Sequence, residues 1–181
     1  MQFYLQTSRL DIRRFKSEDA KDLYEYLSDE NVVKYEPYEV FNFEDTKTEA
    51  KLRSKTRTFF AVCLKDTGKL IGNIYLKKGD YDTWELGFVF NSAYQGMGYA
   101  YESAKALIDY VFEHKNARRI VAMCNPLNER SWHLLEHLGL RRESLLIKNV
   151  FFKRDENGEP IWSDTYEYAI LKEEWKKKNR S

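Results

Sequence analysis

Residues 84–100, Trp84-Glu85-Leu86-Gly87-Phe88-Val89-Phe90-Asn91-Ser92-Ala93-Tyr94-Gln95-Gly96-Met97-Gly98-Tyr99-Ala100, run from a β-patterned stretch through two glycines into the strongest helical periodicity of the chain. That order has a chemical use. Glycine lets a backbone come close to a ligand, and the first N–H groups of a helix have no intrahelical partners. A strand, a glycine-bearing loop and a helix N-terminus together therefore make a phosphate site. The pattern is not a dinucleotide fingerprint, because Tyr101 stands where the third glycine would fall, and it is not a P-loop, because no Gly-Lys-Ser/Thr follows. A tight turn before a helix would use the same two glycines. A second constellation, His133-Leu134-Leu135-Glu136-His137, has the His-x-x-Glu-His spacing of one class of zinc peptidases. On a helix, though, Trp132, Leu134, Leu135 and Leu138 take the apolar side, while His133, Glu136 and His137 share the polar side as a solvated face does. No third ligand follows, so a zinc hydrolase using His133 and His137 is the weaker alternative and no metal is expected. Cys124, closing the apolar run Ile120-Val121-Ala122-Met123, reads as core rather than nucleophile.

The elements that must position the glycine loop can be read from periodicity. Residues 9–15 alternate as a strand, Ser17 is placed to cap a helix with apolar Ala20, Leu23, Tyr24 and Leu27, and a short helical turn is expected over 31–35. A loop over 37–43 and a polar helix over 45–55 follow. Three strands over 58–65, 70–77 and 83–90, joined by Asp66-Thr67-Gly68 and Gly79-Asp80, form an antiparallel meander. The helix over 99–114 then leads to a strand over 119–124, which implies one parallel crossover inside a mixed sheet. A helix over 128–138 ends at Gly139, and strands over 140–152 and 161–171 close the chain around Asp155-Glu156-Asn157-Gly158. The fold class is α+β with a mixed, mostly antiparallel central sheet, in a single domain over residues 1–181.

Composition narrows the partners. The chain has 181 residues, 43% of them hydrophobic, enough for a true core, and 30 Lys and Arg against 29 Asp and Glu leave a formal charge of +1. No overall field draws it to nucleic acid or a membrane surface, so any anion must be held by local geometry. The basic run Lys176-Lys177-Lys178-Asn179-Arg180 reads as a solvated end. Two cysteines give neither a disulfide scaffold nor a zinc ribbon, and the longest uncharged apolar stretch, residues 59–64, is far too short to span a bilayer. A soluble cytoplasmic domain is expected, with a homodimer left open. The aromatic fraction of 15% either fills the core or lines a pocket.

Gln95-Gly96-Met97-Gly98-Tyr99-Ala100 resembles the Arg/Gln-x-x-Gly-x-Gly/Ala motif of GNAT-superfamily N-acetyltransferases. Three further stretches are similar to the branch that includes ribosomal-protein N-terminal, spermidine and antibiotic acetyltransferases. They are Ser8-Arg9-Leu10-Asp11-Ile12-Arg13, then Asn125-Pro126-Leu127-Asn128-Glu129-Arg130-Ser131, and Tyr168-Ala169-Ile170-Leu171 with Glu174-Trp175. The resemblance implies acetyl-CoA as cosubstrate and a GNAT-like sheet with a splayed strand pair. The amides of Gln95, Gly96, Met97, Gly98, Tyr99 and Ala100 would lie on the pyrophosphate, backbone groups of Phe88, Val89 and Phe90 would pair with pantetheine, and Asn128 would stand beside the pantetheine or the sulfur. Asn128 equally suits a helix N-cap. The implied acceptor is an amine-bearing molecule, either a protein N-terminus or a small molecule such as a polyamine or antibiotic, selected by residues 35–43 and the segments after Gly139.

Amine chemistry supplies further expectations. A lysine-type amine of pKa ~10.4 or an α-amino group of ~7.7–8.0 is mostly protonated at neutral pH, so attack on a thioester profits from a base. Glu85 is the candidate, sharing one strand face with Gly87 and Val89, against the alternative of a surface salt bridge. A backbone N–H of the splayed strand, that of Val89, is expected at the carbonyl oxygen. Ser131 matches the position of the branch's proton donor to the departing thiolate, against the alternative of a local helix-turn bond. A CoA-binding sensor without catalysis is the remaining alternative.

Overall fold

In the computed structural model, which describes residues 3–178, the chain runs β1 (Tyr4–Gln6), β2 (Leu10–Arg14), α1 (Ala20–Leu27), α2 (Glu30–Val33), α3 (Phe43–Lys55), β3 (Phe59–Leu64), β4 (Leu70–Lys78) and β5 (Thr83–Phe90). It continues through α4 (Tyr99–His114), β6 (Arg119–Cys124), α5 (Glu129–Leu138), β7 (Arg141–Arg154), β8 (Pro160–Leu171) and α6 (Lys172–Lys178). The strands form one sheet in the order β1-β2-β3-β4-β5-β6-β8-β7. Every neighbouring pair is antiparallel except β5 and β6, which α4 joins as a parallel crossover. Among the described residues no helix is long and apolar enough to cross a membrane.

Alternation along the strands feeds two cores. Leu86 and Phe90 of β5, with Ile120, Ala122 and Cys124 of β6, face α4 and α5, whose Ala104, Leu107, Ile108, Val111, Phe112, Leu135 and Leu138 meet them at helical spacing. On the other face, Leu23, Tyr26 and Leu27 of α1 and Ala50 of α3 cover Ala61, Cys63 and Leu70, and Val89 packs at their edge. The mixed α+β class and the single crossover are as the periodicity requires.

Three local expectations change. β1 is an additional edge strand, pairing Tyr4–Gln6 with Arg13–Asp11. Ser17 does not cap α1: residues 17–19 form a separate 3-10 turn. There the Asp19 carboxylate accepts from the Lys16 N–H at 2.8 Å and from both terminal nitrogens of Arg13. In the loop before α3, Tyr38 and Phe41 meet edge to face and pack, partly buried, against the second core, while Phe43, the first residue of α3, lies on Tyr24 with both rings exposed. Of the basic run, Asn179 and Arg180 lie outside the described residues.

Gly72 of β4 lies opposite Phe90, and a Cβ there would stand 2.4 Å from the Phe90 ring. Gly72→Ala should therefore overpack the end of β5 and lower unfolding free energy by about 1–3 kcal/mol, read as a shift of the denaturant midpoint at constant slope.

Candidate active site

β5 and β6 pair only from Thr83–Glu85 to Arg119–Val121. Beyond that point β5 follows β4 up to Phe90 and β6 follows β8 up to Cys124, so their inner edges part into a V. The N–H of Asn91 donates to Ile71 and that of Gly79 to Thr83. These two bonds fix the parity of the β4–β5 ladder: the backbone of Glu85, Gly87 and Val89 points into β4, and that of Leu86, Phe88 and Phe90 points into the V. The Val89 amide is thus committed opposite Asn73 and does not face the cleft, contrary to the expectation from the strand alone. Phe88 and Phe90 do face it, and the Phe90 carbonyl accepts from Gln95 Nε2 at 3.0 Å.

The loop out of β5 is pinned at each step. The Asn91 side chain, almost fully buried, accepts from the Ala93 N–H and donates to Glu25, while the Ser92 hydroxyl donates to Asp29 of the α1–α2 link. Gly96 and Gly98 both have positive φ, 76° and 81°, a conformation costly for other residues. Space beside Gly96 is open, whereas a Cβ on Gly98 would meet the Arg9 guanidinium at 3.3 Å. Gly98 is the N-cap of α4 and its carbonyl accepts from Glu102, so the amides of Tyr99, Ala100 and Tyr101 have no intrahelical acceptor. The donor set suits a pyrophosphate: backbone amides at a positive helix end, reached across glycines.

Arg9 and Glu102 form the brace behind this loop, and sequence reasoning did not single them out. Arg9 Nη1 donates to the Met97 carbonyl at 3.0 Å and its Nε pairs with Glu102 at 2.7 Å. Burial opposes the Glu102 charge, but hydrogen bonds from Thr7, the Arg9 amide and side chain, and Ser8 outweigh it and bring its pKa down to about 2. The two residues are 93 positions apart. The only hint in the sequence is an acidic residue in the first turn of a helix, a common dipole complement.

Across the V, Asn128 caps α5, its side chain accepting from the Ser131 N–H at 3.3 Å. Arg130 Nη1 reaches back to Gln95 Oε1 at 2.6 Å, so the Gln95 side chain links the tip of β5 to α5. Burial pushes the Cys124 thiol up to about 11, outweighing nearby Ser131, whose influence lowers its pKa. A thiol so protonated is no nucleophile at neutral pH. Of the His-x-x-Glu-His residues, Glu136 accepts from Tyr168 and Arg142, His133 lies on the Trp132 ring and His137 on Tyr101. Glu85 is exposed, opposite Lys77 on one side and Val121 on the other, at the last paired position before the V opens. On its face follow Met123, more than half exposed, and Glu167 in register with it.

A family model described as an acetyltransferase (GNAT) domain matches residues 9–141. The chain belongs to the GNAT acetyltransferases. It is 42% identical over 175 residues to YnaD of Bacillus subtilis (strain 168), described as an uncharacterized N-acetyltransferase, covering 95% of this chain and 99% of that one. A crystal structure of a GNAT-family acetyltransferase from Bacillus anthracis superposes with a TM-score of 0.86 at 37% identity, over 94% of this chain and 99% of its own. The ribosomal protein uS5-alanine N-acetyltransferase of Escherichia coli (strain K12) is 28% identical over 153 residues, 77% of this chain and 78% of its own. This GNAT protein is accordingly an N-acetyltransferase, with the mixed sheet of that fold and its splayed β5–β6 pair.

The Glu102 brace gives a pH signature. Its folded pKa of about 2 lies below the ordinary 4.5, so its contribution is complete above about 4.5 and disappears as pH falls towards 2. Between those values the protein should lose about 1–2 kcal/mol that Glu102→Gln does not lose, seen by comparing denaturant midpoints of the two across the acid range.

Proposed function

We propose that the chain transfers an acetyl group from acetyl-CoA to a primary amine by direct attack, both substrates being bound together in the V. The reading is carried by the parting of β5 from β6 beside a braced glycine loop. The amides of Gln95, Gly96, Met97, Gly98, Tyr99 and Ala100 take the pyrophosphate, the cleft-facing backbone of Phe88 and Phe90 pairs with the pantetheine arm, and Val89 contributes through its side chain to the wall. Asn128, already the α5 cap, presents its amide group towards the sulfur end.

The acceptor enters from the α1–α3 face, where Glu85 holds its ammonium at the apex and relays the proton away, directly or through water. Charge growing on the carbonyl oxygen meets the N–H groups of Phe88 and Phe90 rather than that of Val89. Ser131 returns a proton to the departing thiolate. A thiol pKa near ~8.5 makes that step undemanding. The raised pKa of Cys124 argues against an acetyl-cysteine route. The acceptor is an amine from one of four classes: a protein N-terminus, a polyamine, an amino acid or an aminoglycoside. We place the enzyme in the cytoplasm as one domain over residues 1–181, with acetyl-CoA as cosubstrate and no metal.

Acetyl-CoA turnover measured over a panel of these amines should give CoA release with one class. Tight acetyl-CoA binding without release on any amine would favour a sensor instead. Glu85→Gln should lower kcat/KM for the amine by about a hundredfold or more, and Ser131→Ala should slow kcat by no more than about tenfold. Full activity in Glu85→Gln at neutral pH would remove Glu85 from the proton path, and activity at background level in Ser131→Ala would mean the serine does more than protonate a weakly basic thiolate.

A further inference from the structure

A guanidinium with no carboxylate partner stands beside the glycine loop. Gln95, which opens the loop, donates from Nε2 to the Phe90 carbonyl at 3.0 Å and accepts at Oε1 from Arg130 Nη1 at 2.6 Å. The Arg130 guanidinium is thus held one glutamine side chain away from the backbone that leads into Gly96, at the open end of the V. That bond uses one of its five N–H groups. Arg130 is exposed, and among the described residues no carboxylate pairs with it. Glu129 is its neighbour in sequence on α5, a spacing at which helical side chains do not face each other. The other arginine at the loop is in the opposite condition. Arg9 donates to the Met97 carbonyl, but its charge is matched by Glu102 at 2.7 Å. One arginine therefore braces the loop as half of an ion pair, and the other presents an uncompensated charge.

The placement of Arg130 runs against local preference. It is the second residue of α5, where the helix dipole disfavours a cation. Gln95 lies three residues before the α4 N-cap and is bonded to this first turn of α5, so the positive ends of two helices stand beside it. A third positive group between them is unfavourable until an anion arrives. A residue that breaks a local rule in this way marks a site where function is served at the expense of stability.

Resting on the acetyltransferase reading, we propose that Arg130 is a ligand of the acetyl-CoA pyrophosphate, its unused N–H groups donating to phosphate oxygens while Nη1 stays on Gln95. The planar fork of a guanidinium matches two phosphate oxygens at once, which a lysine ammonium does not. Gln95 is then a positioning residue: its side chain fixes the fork against the tip of β5, and its backbone leads into the amides that take the same anion. Binding neutralises the charge that opposes the α5 dipole, so the residue costs the free protein stability and returns it on loading.

The test is direct binding of CoA and of 3′-dephospho-CoA, by titration calorimetry over a range of salt concentrations, to the wild type, Arg130→Gln and Arg130→Lys, with the denaturant midpoint of each free protein. Arg130→Gln should weaken CoA about tenfold or more and flatten the salt dependence of its Kd. Its midpoint should stay equal or rise, since a cation leaves a positive helix end. Arg130→Lys should restore the salt dependence and part of the affinity. The loss in Arg130→Gln should be as large with 3′-dephospho-CoA, which keeps the pyrophosphate. A loss confined to CoA assigns Arg130 to the 3′-phosphate and overturns the proposal. So does a loss with an unchanged salt dependence, which makes the arginine a mere prop for Gln95, and so does a marked fall in the midpoint, which makes it structural. Binding by Arg130→Gln within threefold of the wild type overturns the proposal while leaving the cofactor reading standing, whereas a wild type that binds neither ligand overturns both.

Discussion

The parting of two neighbouring strands is the constraint around which the rest of the molecule is arranged. β5 and β6 share three residue pairs and then separate, although each continues as a regular strand. Separation turns the backbone groups of Phe88 and Phe90 away from any strand partner, and buried backbone groups are costly without one. The V is kept open from both faces. Gln95 joins the Phe90 carbonyl to Arg130, bridging the tip of β5 to α5, and Tyr35 bridges the α2–α3 loop to Leu127. Below the cleft, α4 and α5 fill the angle with the larger core, so the arms cannot close without expelling Phe90, Ala122 and Cys124 from close packing.

A buried polar ladder on the opposite face does comparable positioning by other means. Arg53 is almost wholly buried, and a guanidinium in that setting needs its donors matched. Glu49, Asn73 and Tyr38 meet them, while Tyr26 donates its hydroxyl to the same Asn73 oxygen. The ladder ties α1, α3 and β4 to the loop before α3. A loop carrying such bonds is ordered by them rather than by its own propensity.

How much of this was legible in the chain follows from what carries each feature. The bounds of β5, α4 and β6 are readable because their periods are long and glycines punctuate them, and Gly139, with φ 96°, ends α5 as its position suggests. β1 has three residues at a sheet edge, too few for a period to register. That Tyr38 and Phe41 pack, partly buried, against the second core is not readable in one dimension, because loop packing has no repeat to read. The direction of the Val89 amide depends on which residue of β4 it meets, a property of two strands together that neither pattern contains. Arg9 with Glu102 and Arg53 with Asn73 are likewise pairs of distant residues, each ordinary alone.

The two sides of the cleft are built from different material, and that difference bears on what each can specify. On the proposed cofactor side the groups are mostly main-chain amides, placed by glycine conformation, strand parity and the Arg9 brace, so many side chains are compatible with the same ligand. On the proposed acceptor face the available groups are side chains: Glu85 where the β5–β6 pairing ends, Met123 and Glu167 in register beyond it, and Tyr35 bonded to Leu127. The protein's near-neutral charge is consistent with this division, since aimed dipoles can hold a polyanion without a basic surface. Carboxylates on the proposed acceptor side favour a cation, the charge state of a free amine at neutral pH. On the proposed reading, residues that choose the acceptor lie in the α2–α3 loop and along β6 and β8, where a single side-chain change alters the chemistry presented without disturbing the strand parity of the proposed cofactor side.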